Sequence, residues 1–299
     1  MVAAARYLQR HPSCYLTILE QDDCVGGVWS KRRDYSSFWT QWHHGIAEFA
    51  DFSMERPPEE DCMHDLFRAK YTGKYLEGYA DHVRTNGRSL RDRIQFNVVV
   101  QSVQKKENLW HIACTGPIKE SNTKIFTTAR LIMANGQASI PRYPELPGKE
   151  KFDGKIIHQI DFGRSSAITD RQTQHVTVLG AGKSAADMVY ESAKAGKTVS
   201  WVIRKTGEGS TGPGFFVPPD VKTPYQNPGY AAQTRIMSSL QPCFMNKDTW
   251  WTWFLHRTTY GVSMVRWIFD QADQAIRKRA AYTARDNSKG FAKLQYEDQ

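Results

Sequence analysis

Along this chain the apolar positions switch between a helical spacing and short β-branched or aromatic runs, and each switch marks an element. Residues 2–9 are alanine-rich and free of breakers, which predicts a helix that His11, Pro12 and Ser13 end. Residues 15–19 follow as a short apolar strand closing on Glu20. A helix entering a buried strand through a tight turn is half of a βαβ unit. Gly26 and Gly27 predict a loop, and residues 61 to about 84 a helix with Leu66, Tyr75, Leu76 and Tyr79 inward. Strands return at 94–100, at 109–114 and at 124–128, the last two as members of an antiparallel meander. Residues 131–133 predict one more short strand, running into Ala134, Asn135 and Gly136.

Pro141, Pro144 and Pro147 then interrupt any ladder or helix, so residues 140–148 read as the close of a first domain. A second βαβ unit begins near His175: strand 176–179, turn 180–182, helix 183–195, then strand 198–203. Gly196 stands just past the helix end, where a left-handed cap belongs. The chain is rich in glycine and proline from 207 to about 229 and helical and aromatic after that. There Trp250, Trp251, Trp253 and Trp267, with Phe254 and Phe269, are expected to be core.

Composition narrows the class. The 299 residues are 40% hydrophobic and 24% charged, as in an ordinary globular protein of about two domains. The net charge of +9 and pI of about 9.2 favour anionic partners without choosing among them. The basic residues are dispersed and no nucleic-acid module is visible, so a nucleic-acid-binding protein is the weakest rival. Cys14, Cys24, Cys62, Cys114 and Cys243 are scattered, with no Cys-x-x-Cys pair. That argues against a disulfide framework, a zinc site and a redox dithiol, and a cytoplasmic setting fits. His43 and His44 have no partner at metal-ligand spacing. No apolar run has signal-peptide character or is long enough to span a bilayer.

The strongest local chemistry is Gly180-Ala181-Gly182-Lys183-Ser184-Ala185 between a strand and a helix. Gly180 permits the tight turn, Gly182 lets a pyrophosphate approach the backbone, and Ala185 fits the fingerprint's third small position. Amides at the helix start, Lys183 and Ser184 among them, then face the phosphates. Arg204 and Lys205 follow the next strand, where an NAD site carries an acidic residue and an NADP site a basic one. NADPH is therefore the expected nucleotide.

Glu20 closes the first strand where a carboxylate would accept ribose hydroxyls, and Gly26-Gly27-Val28-Trp29 follows. This run resembles the second FAD motif of flavin-containing monooxygenases. Residues 152–162 match the superfamily fingerprint Phe-x-Gly-x-x-x-His-x-x-x-aromatic through Phe152, Gly154, His158 and Phe162. The phenylalanine ending is similar to the flavin-containing monooxygenase branch, and the middle of the chain looks like its fungal secondary-metabolite members. The resemblance implies that Glu20 holds the FAD ribose and that Gly27, Val28 and Trp29 flank the flavin path. Thr40 and Gln41 stand where the family has Thr-Asn near flavin and nicotinamide. Val100 matches a strand residue touching adenine, and Ala134 and Gly136 a strand end beside the flavin. His158 would couple nucleotide binding to domain orientation.

What the resemblance implies, then, is an α/β protein with two Rossmann-like domains, for FAD and NADPH, and a small antiparallel meander. The domains would be 1–150 and 166–299, with the fingerprint on a linker at 151–165. NADPH would reduce FAD, a C4a-hydroperoxyflavin would form with O₂, and one oxygen would pass to a small organic substrate. No catalytic side chain and no metal is required. The Gly-x-Gly-x-x-Gly turn and the strand that would precede Ile18 in such a fold are not in the sequence, and the second domain is short of strands. The chain as written is therefore expected to be truncated at both ends and to hold FAD poorly. The competing reading is an inactive remnant with weak NADPH binding.

Overall fold

The computed structural model describes residues 1–36, 38–116, 123–136, 140–166, 168–203, 228–240 and 247–279. They fall into two units, Met1–Phe38 with Ala69–Ser165, and Trp39–Arg68 with Ser166–Gln299. Residues 39–68 thus group with the second unit, whereas the sequence pattern predicts them in the first domain.

In the first unit the helix Val2–Arg10 buries Ala4, Ala5 and Leu8, one face of a helical repeat. Ile18–Leu19 pairs in parallel with Ile94–Gln95. The strand expected over 94–100 is in fact two. Asn97 takes a left-handed φ of 59°, and the chain resumes as Val99–Lys106. The kink lets the first piece pair with Ile18–Leu19 while the second pairs with Leu109–Thr115. Thr123–Thr128 completes the antiparallel meander, with Leu109–Thr115 at its centre. Ile112 and Cys114 form its buried face.

Two expected elements are corrected. The helix begins at Lys70, not near 61; Cys62–Met63 and Leu66–Arg68 pair as a hairpin. His64 and Asp65, at φ 50° and 67°, make its two-residue turn, a left-handed pair usually announced by Asn-Gly. Leu66 is therefore a strand residue, while Tyr75 and Tyr79 are buried in the helix Lys70–His82 as expected. Residues 131–133 form no strand, and Ile132 and Met133 are exposed. Among the described residues no strand lies alongside to pair with them, and an apolar run without a partner has no ladder.

In the second unit His175–Leu179 and Thr198–Val202 pair in parallel with Leu179 opposite Val202. The helix Lys183–Lys194 connects them and ends at Gly196, φ 75°, whose neighbour Lys197 donates back to Ser192. A separate antiparallel set joins Trp39–His43 to Leu66–Arg68. Helices Trp250–Arg257 and Thr259–Arg279 follow, the first capped reciprocally by Thr249 and Thr252. Here the expected aromatic core is overturned. Trp250, Trp253 and Trp267 are 78%, 58% and 60% exposed, while Leu255 is fully buried. Gly261 brings the second helix against the Phe254 carbonyl, and this contact fixes the face that turns inward. No helix among the described residues is long and apolar enough to cross a membrane.

Candidate dinucleotide-binding turns

Glu20 is held by its backbone on both sides. Its N–H donates to the Gln95 carbonyl (3.0 Å) and its own carbonyl accepts from Val98 N–H (2.9 Å). One carboxylate oxygen accepts the Asp22 N–H at 3.0 Å, and the half-buried Met1 ammonium interacts with the carboxylate's charge. Val100 lies two residues beyond Val98, opposite Cys114 in the meander, and is 43% exposed, so it is not core.

The glycine pair that follows is demanded by the backbone: φ is 121° at Gly26 and 55° at Gly27. The turn Gly27–Trp29 leaves Val28 exposed and Trp29 half-buried. Trp29 stacks on Phe38 with ring centroids 5.4 Å apart, and Phe38 stacks on Tyr35 at 4.7 Å. Tyr35 meets the edge of Phe162 at 5.4 Å. The fingerprint's last residue is thus joined to the Gly-Gly-x-Trp turn by a run of four rings. Two glycines missed in the sequence make this packing possible. A Cβ at Gly73 would stand 2.6 Å from the Trp29 carbonyl oxygen, and one at Gly163 would strike the Asp34 carbonyl. Neither carries a motif; both were hidden because close approach leaves no local pattern.

The rest of the fingerprint is local. Gly154 makes room for the Phe152 ring, and His158 Nδ1 accepts the Ile160 N–H at 3.3 Å, capping the short turn Gln159–Arg164. Ala134 and Gly136 are exposed, with Gly136 at φ 72°. In the second unit the Thr40 hydroxyl is taken up by backbone: it accepts the Phe67 N–H at 3.2 Å and lies 3.0 and 2.9 Å from the Phe67 and Trp42 carbonyls. It fills the irregularity in the Trp39–His43 ladder, and Gln41 beside it is exposed.

The second turn separates two kinds of glycine. Gly180 has φ 117°, a conformation only glycine takes readily. Gly182 has ordinary angles, φ −70° and ψ 172°, and beyond its chain neighbours no described atom lies within 4 Å of where its Cβ would stand. Backbone conformation therefore requires glycine at 180, whereas at 182 glycine is a favourable helix N-cap that the angles do not demand. The space above Gly182 opens at the start of the helix Lys183–Lys194, whose first amides have no acceptor within the helix. Ala185 is buried against the sheet, Ser184 is half-buried, and Lys183 forms an ion pair with Asp187 one turn on. Arg204 and Lys205 lie outside the described residues.

The described cysteines are free, and burial pushes the Cys24, Cys62 and Cys114 thiols up, away from reactive thiolate. Among the described residues no group of His, Cys, Asp and Glu could hold a metal.

A family model described as pyridine nucleotide-disulphide oxidoreductase matches residues 2–234. The chain belongs to that family. Its sequence has no Cys-x-x-Cys pair, and its relatives carry another name. It is 30% identical over 287 residues to an FAD-dependent monooxygenase of Pyrenophora dematioidea, covering 90% of this chain and 49% of that protein. It is 31% identical over 299 residues to FAD-dependent monooxygenase DEP4 of Fusarium langsethiae, covering 100% and 49%. The fold is similar to that of Tmm from Pelagibacter sp. strain HTCC7211, with a TM-score of 0.55 at 22% identity over 72% of this chain and 49% of that one. The resemblance to flavin monooxygenases is borne out. The chain spans about half the length of the curated relatives it matches.

Proposed function

We propose that the protein is an FAD- and NADPH-dependent monooxygenase that places one oxygen of O₂ on a small organic substrate. The observation that carries the reading is Gly182, a glycine without a conformational reason at the mouth of a strand–turn–helix. A pyrophosphate needs that clearance, and the helix-start amides with their dipole favour its charge. Arg204 and Lys205 supply the basic side chains for a 2′-phosphate, which sets NADPH above NADH.

On the flavin side, Glu20 offers a carboxylate oxygen to ribose hydroxyls, and Gly26 and Gly27 shape the turn that carries Val28 and Trp29 past it. The ring stack from Trp29 to Phe162 keeps that turn in place. The hydride transfer and oxygen chemistry belong to the cofactors. The protein's part is to bind, orient and keep water out, and no side-chain nucleophile enters. The test is anaerobic mixing of NADPH with the protein in excess FAD. The expected result is bleaching of the protein-bound flavin band by NADPH and much slower bleaching by NADH. A protein that retains no flavin under excess FAD, or flavin that NADPH leaves oxidised, contradicts the reading.

A further inference from the structure

The turn at Gly180 is gripped from two successive residues of the neighbouring strand Thr198–Val202. Gly180 N–H donates to the Val202 carbonyl at 2.9 Å, and the Trp201 indole N–H donates to the Gly180 carbonyl at 2.6 Å. The register that sets Leu179 opposite Val202 brings both partners to the same place. The Gly180 carbonyl and the Ala181 amide belong to one peptide plane. The described chain has no cis peptide, and in a trans peptide C=O and N–H point to opposite sides. Fixing the carbonyl on Trp201 therefore aims the Ala181 N–H away from it.

This matters because a glycine-containing turn is soft. Gly180 already occupies φ 117°, and glycine also tolerates the alternatives, so its peptide is free to flip unless something holds it. A flipped peptide would present a carbonyl oxygen where an amide should meet an anion. The indole N–H is a donor only, so it accepts one orientation and rejects the other.

We propose that Trp201 is a positioning residue for nucleotide binding: its indole locks the Gly180–Ala181 peptide so that the Ala181 amide faces the dinucleotide pyrophosphate. The proposal rests on the reading of residues 180–185 as the NADPH turn. Trp201→Phe keeps the aromatic bulk and removes the N–H; Trp201→His returns a ring N–H. Calorimetric titrations use NADP⁺ and 2′-AMP, the second carrying the 2′-phosphate without a pyrophosphate. W201F weakens NADP⁺ by about tenfold and changes 2′-AMP by less than about twofold, the scale of one hydrogen bond. W201H recovers part of the NADP⁺ loss. Without ligand, amide hydrogen exchange at 181–184 is faster in W201F than in the unsubstituted protein. Equal weakening of both ligands, or unchanged NADP⁺ affinity, overturns the proposal, and so does unchanged exchange. If the unsubstituted protein binds neither ligand, the nucleotide reading itself falls and takes the proposal with it.

Discussion

Glycine is required for conformation at some positions and for close approach at others. At Gly26, Gly27 and Gly180 the backbone conformation requires it. At Gly73 the conformation is helical, so alanine would gain about 1 kcal/mol of helix propensity. Its Cβ would nevertheless stand 2.6 Å from the Trp29 carbonyl oxygen, a backbone atom that cannot swing aside. Overpacking of that kind costs about 1–3 kcal/mol, so the clash wins. We predict that Gly73→Ala lowers the urea midpoint of the protein; a higher midpoint would mean that the helix and the Gly27–Trp29 turn separate easily. Arg204→Ala is predicted to weaken NADPH about tenfold or more and leave NADH nearly unchanged, as loss of a charge-assisted contact to a 2′-phosphate requires. Equal loss for both nucleotides in a titration rejects that role.

At the scale of elements, the strand Trp39–His43 carries a buried histidine beside Gly229, where an added Cβ would stand 2.4 Å from the His43 ring. Its Nε2 has no partner among the described residues. Burial holds the His43 pKa below its ordinary value of 6.5, against a smaller opposing pull from Asp65. The folded state then binds fewer protons than the unfolded one in the window below pH 6.5, so stability falls as the pH drops through that window. We predict a falling thermal midpoint from pH 7 toward pH 5 that is shallower in His43→Gln. Parallel slopes for the two proteins would remove His43 as the cause. Elements also mark what the sequence could and could not reveal. The strand–turn–helix at 175–194 was legible because each part has its own signal: apolar strand, paired glycines, breaker-free helix, glycine cap. The His64-Asp65 hairpin was not: both residues tolerate left-handed angles, but without a glycine they give no turn signal of the Asn-Gly kind. The outward Trp250, Trp253 and Trp267 were not either, since aromatic density gives no face without the partner element.

For the whole molecule, the order of the motifs carried the family, and the family match over residues 2–234 agrees with it. The partition of the chain was not legible. Residues 39–68 leave the unit they are flanked by and group with the second, and the pairing of Trp39–His43 with Leu66–Arg68 inside that segment is a choice that no local pattern encodes. The ring stack Trp29–Phe38–Tyr35–Phe162 was invisible for the same reason, although two of its members stood in recognised motifs. What the account rests on most is the distinction between a glycine the fold needs and one a ligand needs. That distinction is measured by titrating NADPH into the protein and into Gly182→Val, with thermal unfolding of both as the control. The predicted result is a melting temperature lowered no more than loss of one helix N-cap allows, and a loss of NADPH affinity of about a hundredfold or more, as blocking a pyrophosphate from its amides should cause. A Gly182→Val protein that melts as before and binds NADPH as before would contradict the account at its centre.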